Sequence, residues 1–572
     1  MGSYADLDAI AEARDLTARA RDAQRSFAES SQERVDAVVA AMAAAAKAAS
    51  VELAQLAHEE TGFGNVEDKN RKNLFSAVTV HDFIRPMKTV GVLREDAARK
   101  VYEIAEPVGV VAAVLPCTNP TSTAIYKILI AVKSRNGVVL SPHPAARRAI
   151  QRTAEIMKDA AVRAGAPEGL IACIGNPTPE GVQALMRDKN IGVILATGGS
   201  DLVRAAYSAG KPCFGVGPGN VPAYVHASAD PRLAVERILA GKTFDCGTLC
   251  SSEQAVIADV ACSDAVVREL AAQGAYFLPA ADQEKLAHEL FTPRLTVQPK
   301  LLGKPATRIA ELCGIQVPKG TRALVAPLAG VGPKFPLSAE KLSPVLAYYV
   351  VKDWKEGCDR CKEILAFGGS GHTLAVHGQD KDVIFQFALQ KPAFRIIANA
   401  PAATGAVGLG TGLDPAMTLG CGAMGGNITS DNISPLHLIN RKRLAFGIED
   451  TVPAGVPESA VAPAASSLGK APADLRARAE RFLQGKGVLA QALPAQPPAA
   501  PAPEAPAPET PAPEKPCPRV AAAAPVPRVD FVCEDDVRTA IREKRRIVVH
   551  GRTIITPAAR DLGALHDIFQ GG

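Results

Sequence analysis

The chain has 572 residues, of which 47% are hydrophobic and 22% charged, and its formal net charge is +5. This length exceeds what one compact core holds, so two or three folded units are expected. The small net charge gives no electrostatic footprint for nucleic acid, and no apolar run reaches transmembrane length. The first residues lack the apolar segment of a secretory signal, which predicts a cytoplasmic protein whose twelve cysteines are free thiols.

The pattern changes between the first sixty residues and those that follow. Residues 5–60 are alanine-rich with helical periodicity and predict one or two long helices. From about 104 to 230, short apolar runs alternate with helical stretches, which is typical of β-α-β units and a parallel sheet. The strands predicted in this part are Val108–Leu115, Gly137–Leu140, Leu170–Cys173, Ile191–Leu195 and Ala223–Val225.

Residues 231–440 repeat the alternation of strands and helices and predict a second α/β domain. Its predicted strands are Glu253–Ala258, Ala323–Pro327, Val345–Val351, Thr373–His377 and Arg395–Asn399. A predicted helix, Trp354–Leu365, carries the only C-x-x-C pair, Cys358 and Cys361. Without a second pair at zinc spacing we predict no metal site, and the alternatives for this pair are a redox role and two packed thiols.

The composition changes after about Pro453. Residues 488–528 consist mostly of proline and alanine, which predicts an extended linker, preceded by a short amphipathic helix at Asp474–Leu483. Beyond it, a helix is predicted from Asp535, and Thr556 and Pro557 predict the start of another. That second helix would carry one apolar stripe, formed by Ala558, Leu562, Leu565 and Phe569. Because about forty residues bury little core, we expect this tail to fold against another surface.

Three short segments have residues suited to carbonyl chemistry. Cys250 lies between a glycine-containing loop and a predicted strand, where we expect an exposed thiolate able to attack a carbonyl carbon. Asn119 follows another strand and can donate its side-chain N–H to an oxyanion. The small residues Thr197-Gly198-Gly199 would let a dinucleotide approach the start of a helix. No complete G-x-G-x-x-G follows a strand, so a standard Rossmann fingerprint is not predicted.

Residues 5–450 resemble the aldehyde dehydrogenase superfamily and, within it, the CoA-acylating branch. That branch includes the aldehyde half of bifunctional aldehyde–alcohol dehydrogenases and the propionaldehyde and acetaldehyde dehydrogenases of bacterial microcompartments. The blocks that carry the resemblance are Glu106–Gly109, Asn119–Ala124, Ser141–Pro144, Ala196–Gly199, Cys250–Glu253, Glu340–Pro344, Gly368–Thr373 and Thr418–Gly422. The bifunctional alternative is not favoured, because no alcohol dehydrogenase domain follows residue 450.

The resemblance implies a domain organisation within an α/β fold. Residues 1–230 would form N-terminal helices and a Rossmann-type domain that binds NAD and CoA, and residues 231–425 a catalytic α/β domain. Residues 426–450 would return to the oligomerisation region of a homo-oligomer, a dimer or tetramer. Residues 451–528 would be the linker and 529–572 a C-terminal interaction segment.

The resemblance also implies residue roles. Cys250 matches the nucleophile, Asn119 the oxyanion donor and Glu340 the carboxylate that binds the nicotinamide ribose. His143 stands where hydrolytic relatives hold a lysine, which favours NAD over NADP. His372 either helps to deprotonate CoA, shapes the cleft or packs its loop. The residues expected to bind cofactor are Pro116, Thr118, Pro142, His143, Pro144, Thr197, Gly198, Gly199, Val216, Gly217, Glu340, Leu342 and His372.

Val216 stands where hydrolytic relatives carry the glutamate that activates water. Without that base, a thioester on Cys250 should persist until the CoA thiol attacks it. The predicted function is therefore the ping-pong oxidation of a short aldehyde, propionaldehyde or acetaldehyde, to acyl-CoA. The alternatives are a hydrolytic aldehyde dehydrogenase and a non-catalytic microcompartment scaffold.

The linker and tail are similar to the encapsulation peptides that carry enzymes into bacterial microcompartments. The apolar stripe would dock into a groove of a shell or cargo protein. The alternatives are an oligomerisation arm and an unstructured appendage. No nucleic acid or membrane partner is predicted.

Overall fold

The computed structural model describes residues 2–448 and, apart from 544, 550–552, 557–558, 561, 564–565 and 567, residues 531–571. The chain forms two compact units, Met1–Gly455 and Val456–Gly572. The predicted linker at 451–528 and the predicted helix Asp474–Leu483 lie outside the described residues.

The chain begins with helices that form a layer of their own. Three helices occupy the stretch where one or two were predicted, because the chain breaks after Phe27 and Ser31 caps the second helix by accepting from the Arg34 N–H. The helices are α1 (Gly2–Phe27), α2 (Gln32–Ala48), α3 (Ser50–Thr61), α4 (Val66–Leu74), a π-helical turn (Phe75–Val80) and α5 (His81–Ile84). No single helix in the described residues is long and apolar enough to cross a membrane; only α2 and α3 together, bent by 61°, pass by length and composition.

A five-stranded parallel sheet follows, in the order β5-β4-β3-β6-β7. Its central strand, β3, is buried along its whole length, as expected for a strand covered by helices on both faces. The elements of this part are β3 (Val110–Val114), α6 (Pro120–Lys133), β4 (Gly137–Ser141), α7 (Arg147–Arg163), β5 (Ile171–Cys173), α8 (Pro179–Arg187), β6 (Ile191–Thr197), α9 (Ser200–Tyr207) and β7 (Cys213–Val216).

A second parallel sheet has seven strands in the order β10-β11-β12-β9-β8-β13-β14. Its first strand in the chain, β8 (Val221–Val225), had been predicted within the N-terminal domain; it pairs here with β9 and β13 instead. The following elements are α10 (Pro231–Thr243), β9 (Glu253–Asp259), α11 (Val260–Ala272), β10 (Ala275–Phe277), α12 (Ala280–Leu290), α13 (Ala306–Leu312), β11 (Ala323–Pro327), β12 (Val345–Val351), α14 (Trp354–Ala366), β13 (Gly371–His377), α15 (Lys381–Leu389), β14 (Ala393–Ala398) and α16 (Ala402–Ala406). The two sheets confirm the predicted α/β class.

The end of the first unit returns to its beginning. The strand β15 (Ile439–Ala445) pairs antiparallel with β2 (Val101–Pro107), which also pairs with β1 (Val92–Asp96). Residues 439–445 thus run back beside the N-terminal part of the chain, and the domain boundaries inferred from the resemblance stay a prediction.

The tail differs from its prediction in two ways. It buries a small core of its own, formed by Val532, Val537, Ala540, Ile547, Ala559 and Ile568. Phe569, predicted on a helical stripe, lies instead in β19 (Phe569–Gly571), which pairs with β17 (Ile547–Val549). The predicted helix near Asp535 is confirmed as α17 (Glu534–Arg542), and β16 (Phe531–Val532) pairs with β18 (Ile554–Ile555). Ala558 and Leu565 lie outside the described residues.

Candidate active site

The predicted site residues gather at one edge of the five-stranded sheet. Parallel strands point their carboxyl ends the same way, and the register aligns these ends: Val114 pairs with both Ser141 and Ala196, and Thr197 pairs with Val216. The loop after β3 contains Pro116, Thr118 and Asn119, and the loop after β4 contains Pro142, His143 and Pro144. The turns after β6 and β7 contain Gly198, Gly199 and Gly217.

Cys250 follows a turn with unusual backbone geometry. Asp245 and Cys246 have φ angles of 48° and 54°, and Gly247 continues the turn with a φ of 73°. A left-handed conformation costs a non-glycine residue about 1–2 kcal/mol, so neighbouring interactions must hold this turn. Cys250 itself lies between the turn and β9.

The Asp245 carboxylate provides those interactions, although it is fully buried. Its oxygens accept hydrogen bonds from Lys69 Nζ at 3.0 Å, from Lys72 Nζ, from Thr248 Oγ1 at 2.8 Å and from the Asn65 N–H at 2.9 Å. Burial raises the pKa of the Asp245 carboxyl, but Lys72 and Lys69 outweigh burial and hold that pKa below its usual range. We call Asp245, Lys69 and Lys72 the ionic cluster.

The ionic cluster reaches Asn119 through Lys72. The Lys72 ammonium donates to Asn119 Oδ1 at 2.5 Å, and Asn119 Nδ2 donates to the Thr248 carbonyl oxygen at 3.2 Å. An ammonium group cannot accept a hydrogen bond, so the Asn119 amide has one orientation, with its NH2 group toward the loop that contains Cys250. Burial lowers the pKa of Lys72 to about 8, although Asp245 opposes this.

Cys250 is half-buried, which corrects the expectation of an exposed thiolate. The pKa of its thiol is raised to about 12. Burial is the main cause, Glu340 and Cys421 add to the rise, and Arg395 opposes it. The thiol is therefore protonated at neutral pH in the protein without ligands.

Gly219 marks the point where Cys250, His372 and Glu340 meet. A Cβ at Gly219 would lie 2.4 Å from the Cys250 carbonyl oxygen and 3.1 Å from His372 Cγ, which only a glycine avoids. The Gly219 N–H donates to Glu340 Oε1 at 3.1 Å. Burial raises the pKa of the Glu340 carboxyl to about 7, and Leu342 nearby in the chain has a left-handed φ of 40°.

His372 does not suit the role of a base for CoA, one of the alternatives considered for it. Its ring is fully buried, and Nδ1 lies 2.9 Å from Thr373 Oγ1. Burial and the charge of Arg395 lower the pKa of His372 to about 3, which makes the imidazole a weak base. Its close approach to Gly219 favours the alternative that it shapes the cleft.

The turns after β6 and β7 are open at two of their glycines. A Cβ at Gly199 or Gly217 would meet nothing within 4 Å, and no side chain caps the α9 helix that begins after Gly199. Uncapped N–H groups at a helix start bind phosphate oxygens. Val216 is 2% exposed and beside Thr197, so this position offers a buried apolar side chain and no base.

The sequence alone had not indicated Lys69, Lys72 or Asp245. Both lysines lie one turn apart on α4, in a charged segment that is typical of a solvated helix face. Their separation in sequence from Asp245, 176 and 173 residues, hides the contact.

The chain belongs to the aldehyde dehydrogenase family and to its acylating branch. The family model described as "Aldehyde dehydrogenase family" matches residues 2–283. The structure of an acetylating aldehyde dehydrogenase from Geobacillus thermoglucosidasius is 48% identical, covers 78% of this chain and 99% of that chain, and has a TM-score of 0.77. These matches confirm the resemblance and the aldehyde dehydrogenase-like fold expected from the sequence.

Two further relatives differ in length or in context. The bifunctional aldehyde-alcohol dehydrogenase AdhE of Escherichia coli K12 is 41% identical over 455 residues, which are 79% of this chain and 51% of that protein. The chain thus spans about half the length of this curated relative. A propionaldehyde dehydrogenase from the fucose utilisation bacterial microcompartment of Clostridium phytofermentans is 27% identical, with a TM-score of 0.68 over 75% of this chain and 96% of that chain.

Proposed function

We propose that the protein oxidises a short-chain aldehyde to acyl-CoA, with reduction of NAD, through a thioester on Cys250. The observation that carries this proposal is the hydrogen-bonded path from the ionic cluster through Asn119 to the loop of Cys250, at an edge with an apolar Val216. The hydrogen-bonded path suits covalent capture of a carbonyl, and the apolar Val216 leaves water without a base at this position.

The first step is loss of the Cys250 thiol proton to solvent and attack of the resulting thiolate on the aldehyde carbon. The carbonyl electrons move to oxygen, where the Asn119 Nδ2–H and the Cys250 backbone N–H stabilise the negative charge. Loss of hydride from this carbon, to an acceptor that NAD would supply when bound, re-forms the C=O bond as a thioester on Cys250. The CoA thiolate then attacks the thioester, and the Cys250 thiolate departs.

Lys72 and Asp245 act in this scheme as positioning residues. Lys72 fixes which end of the Asn119 amide faces the reacting carbonyl, and its positive charge on the amide oxygen makes the N–H a stronger donor. Asp245 holds Lys72 and also Thr248, whose carbonyl accepts from Asn119. One buried carboxylate therefore links the oxyanion donor to the loop of the nucleophile.

Thr197, Gly198, Gly199 and Gly217 would hold the pyrophosphate of NAD, and Glu340 its ribose. The open space at Gly199 and Gly217 and the uncapped start of α9 fit this assignment. The other residues expected to bind cofactor border the same edge and keep their proposed roles: Pro116, Thr118, Pro142, His143, Pro144, Val216, Leu342 and His372.

The substrate proposed is propionaldehyde or acetaldehyde. The segments next to the nucleophile supply small side chains, at Ser251, Ser252, Cys421, Gly422 and Ala423, and Ser251 and Ser252 are fully buried.

Mass spectrometry of the protein mixed with propionaldehyde and NAD, but no CoA, tests the thioester. We expect a propionyl group on the peptide that contains Cys250, and its disappearance when CoA is added. Cys250→Ala should carry no acyl group. An acyl group on another cysteine, or none at all before CoA is added, would contradict the proposal.

For the tail, the proposal is delivery of the enzyme into a bacterial microcompartment. The support is its similarity to encapsulation peptides and the microcompartment origin of the Clostridium phytofermentans relative. Because the tail buries its own core, the docking element would be the folded part described within residues 531–571 rather than a lone helix. A fluorescent protein fused to 451–572 should collect in microcompartments of a host that makes them; diffuse fluorescence would contradict delivery.

Assembly of the enzyme as a dimer or tetramer is proposed from the resemblance alone.

A further inference from the structure

The seven-stranded sheet has a pocket at its carboxyl end, away from Cys250. The pocket has a volume of about 210 Å³ and lies at the ends of β8, β13 and β14, where Asp230, Arg237, His377 and Asn399 line it. Cys250 precedes the amino end of β9, so the length of this seven-residue strand, about 20 Å, separates the two places.

The topology of the sheet makes this a common position for a ligand. The chain leaves β8 toward β9 on one side, whereas from β13 it proceeds to β14 on the other side. The helix after β8 packs on one face of the sheet and the helix after β13 on the opposite face. Parallel α/β sheets bind ligands in the crevice at such a reversal of strand order.

His377 is the last residue of β13, and its imidazole is fully buried. Neither ring nitrogen has a hydrogen-bond partner among the residues that the structure describes. An unpartnered buried polar group is unfavourable, so a molecule that bonds to this ring would recover stability. Burial and the charge of Arg237 lower the pKa of His377 to about 3, so the neutral ring offers one donor and one acceptor.

Arg237 supplies a positive charge to the pocket lining. It lies on α10, is half-buried, and makes no hydrogen bond or ion pair within the described part of the chain. Two other lining residues hold each other: Asn399, with a left-handed φ of 53°, donates to the Gly378 carbonyl at 2.7 Å and accepts from the Gly378 N–H at 3.0 Å.

We propose that this pocket binds a small oxyanion that carries a hydroxyl group, of the type of hydrogen phosphate or a 2-hydroxycarboxylate. The anionic oxygens would accept from Arg237 and from the N–H of His377, and the hydroxyl would donate to the Asp230 carboxylate. The Asp230 carboxylate also lines the pocket, which disfavours an anion without a hydrogen to donate.

Isothermal titration calorimetry of the full chain at pH 7.5 tests this with four probes: inorganic phosphate, glycolate, sulfate and acetate. Sulfate and acetate have charge but no hydroxyl at this pH, so we expect them to bind about tenfold or more weakly, the worth of one lost hydrogen bond. Saturation by phosphate or by glycolate shows whether the pocket prefers hydrogen phosphate or a 2-hydroxycarboxylate. No saturation by either, or equal binding of all four anions, would overturn the proposal.

Two variants and one control locate the site. Arg237→Gln and His377→Phe should each abolish binding, and His377→Phe should not lower the melting temperature, because it removes unpartnered polar atoms and keeps a ring. Arg232→Gln, on the same helix but outside the pocket lining, should bind as the wild type does. An equal loss in Arg232→Gln would place the anion elsewhere. The thioester on Cys250 should form in all three variants, so this test is independent of the proposed catalysis.

Discussion

The ammonium of Lys72 donates a 2.5 Å hydrogen bond to the amide oxygen of Asn119, and both side chains are buried. This contact fixes the amide so that its N–H groups face the loop of the nucleophile. A free asparagine amide can turn by 180°, which would present an oxygen to a developing oxyanion. Lys72 excludes that orientation because it can only donate.

Lys72→Met should therefore lower kcat while leaving KM for the aldehyde nearly unchanged. Loss of an oxyanion donor costs about 10²–10³-fold in kcat, which is the effect expected for Asn119→Ala, and the Lys72 variant should lose less. Steady-state kinetics of both variants and of the double variant provide the test. Since Lys72 acts through Asn119, its substitution should have little effect in the Asn119→Ala background. Fully additive losses would mean that Lys72 has a separate, structural role.

Asp245→Asn should lower the free energy of unfolding by about 3–5 kcal/mol, because it leaves two buried ammonium groups without their carboxylate. Urea denaturation measures this. Glu311→Gln is the matched control, because Glu311 pairs with Arg308 at 2.6 Å on the surface, where such a pair contributes about 1 kcal/mol or less. Similar losses in both variants would show that the ionic cluster does not hold the turn before Cys250.

Val216→Glu should introduce slow turnover without CoA. A carboxylate at this position could take a proton from water and direct it to the thioester. Val216→Gln is the control, because it has a similar size and polarity but no basic group. NADH formation from propionaldehyde without CoA should continue past one turnover per site in the glutamate variant alone. Equal turnover in the glutamine variant would mean that water access, and not a base, limits hydrolysis.

Alkylation of Cys250 should increase with pH well above neutrality. Burial raises the pKa of its thiol to about 12, and only the thiolate reacts. In the protein without ligands, the rate at which iodoacetamide labels the Cys250 peptide should rise about tenfold per pH unit between pH 7 and 9. Mass spectrometry separates this peptide from those of the other cysteines. A rate that levels off near pH 7 would show that the thiol is already ionised.

Local patterns predicted most of the elements, and long-range contacts account for what they missed. The strand Ala323–Pro327 has the predicted bounds. The left-handed turn at Asp245 and Cys246 has no sequence signal, since neither residue is a glycine. Phe569 was misassigned because pairing with β17 outweighs its helical spacing.

The distinction between local sequence patterns and long-range contacts holds for the candidate site as well. Motif resemblance found Cys250, Asn119 and Glu340, which lie in continuous blocks of sequence. It could not find Lys72, whose role depends on a carboxylate 173 residues away. The position of Cys250 between a loop and a strand predicted an exposed thiolate, whereas its half-burial is a tertiary property that a local pattern does not contain.

The most direct test of the account is NADH formation from propionaldehyde and NAD, measured with and without CoA. Sustained turnover only with CoA, and none in Cys250→Ala, would show that the acyl group leaves Cys250 for a thiol. Equal turnover without CoA would show that water cleaves the acyl-enzyme, and would contradict the role assigned to Val216.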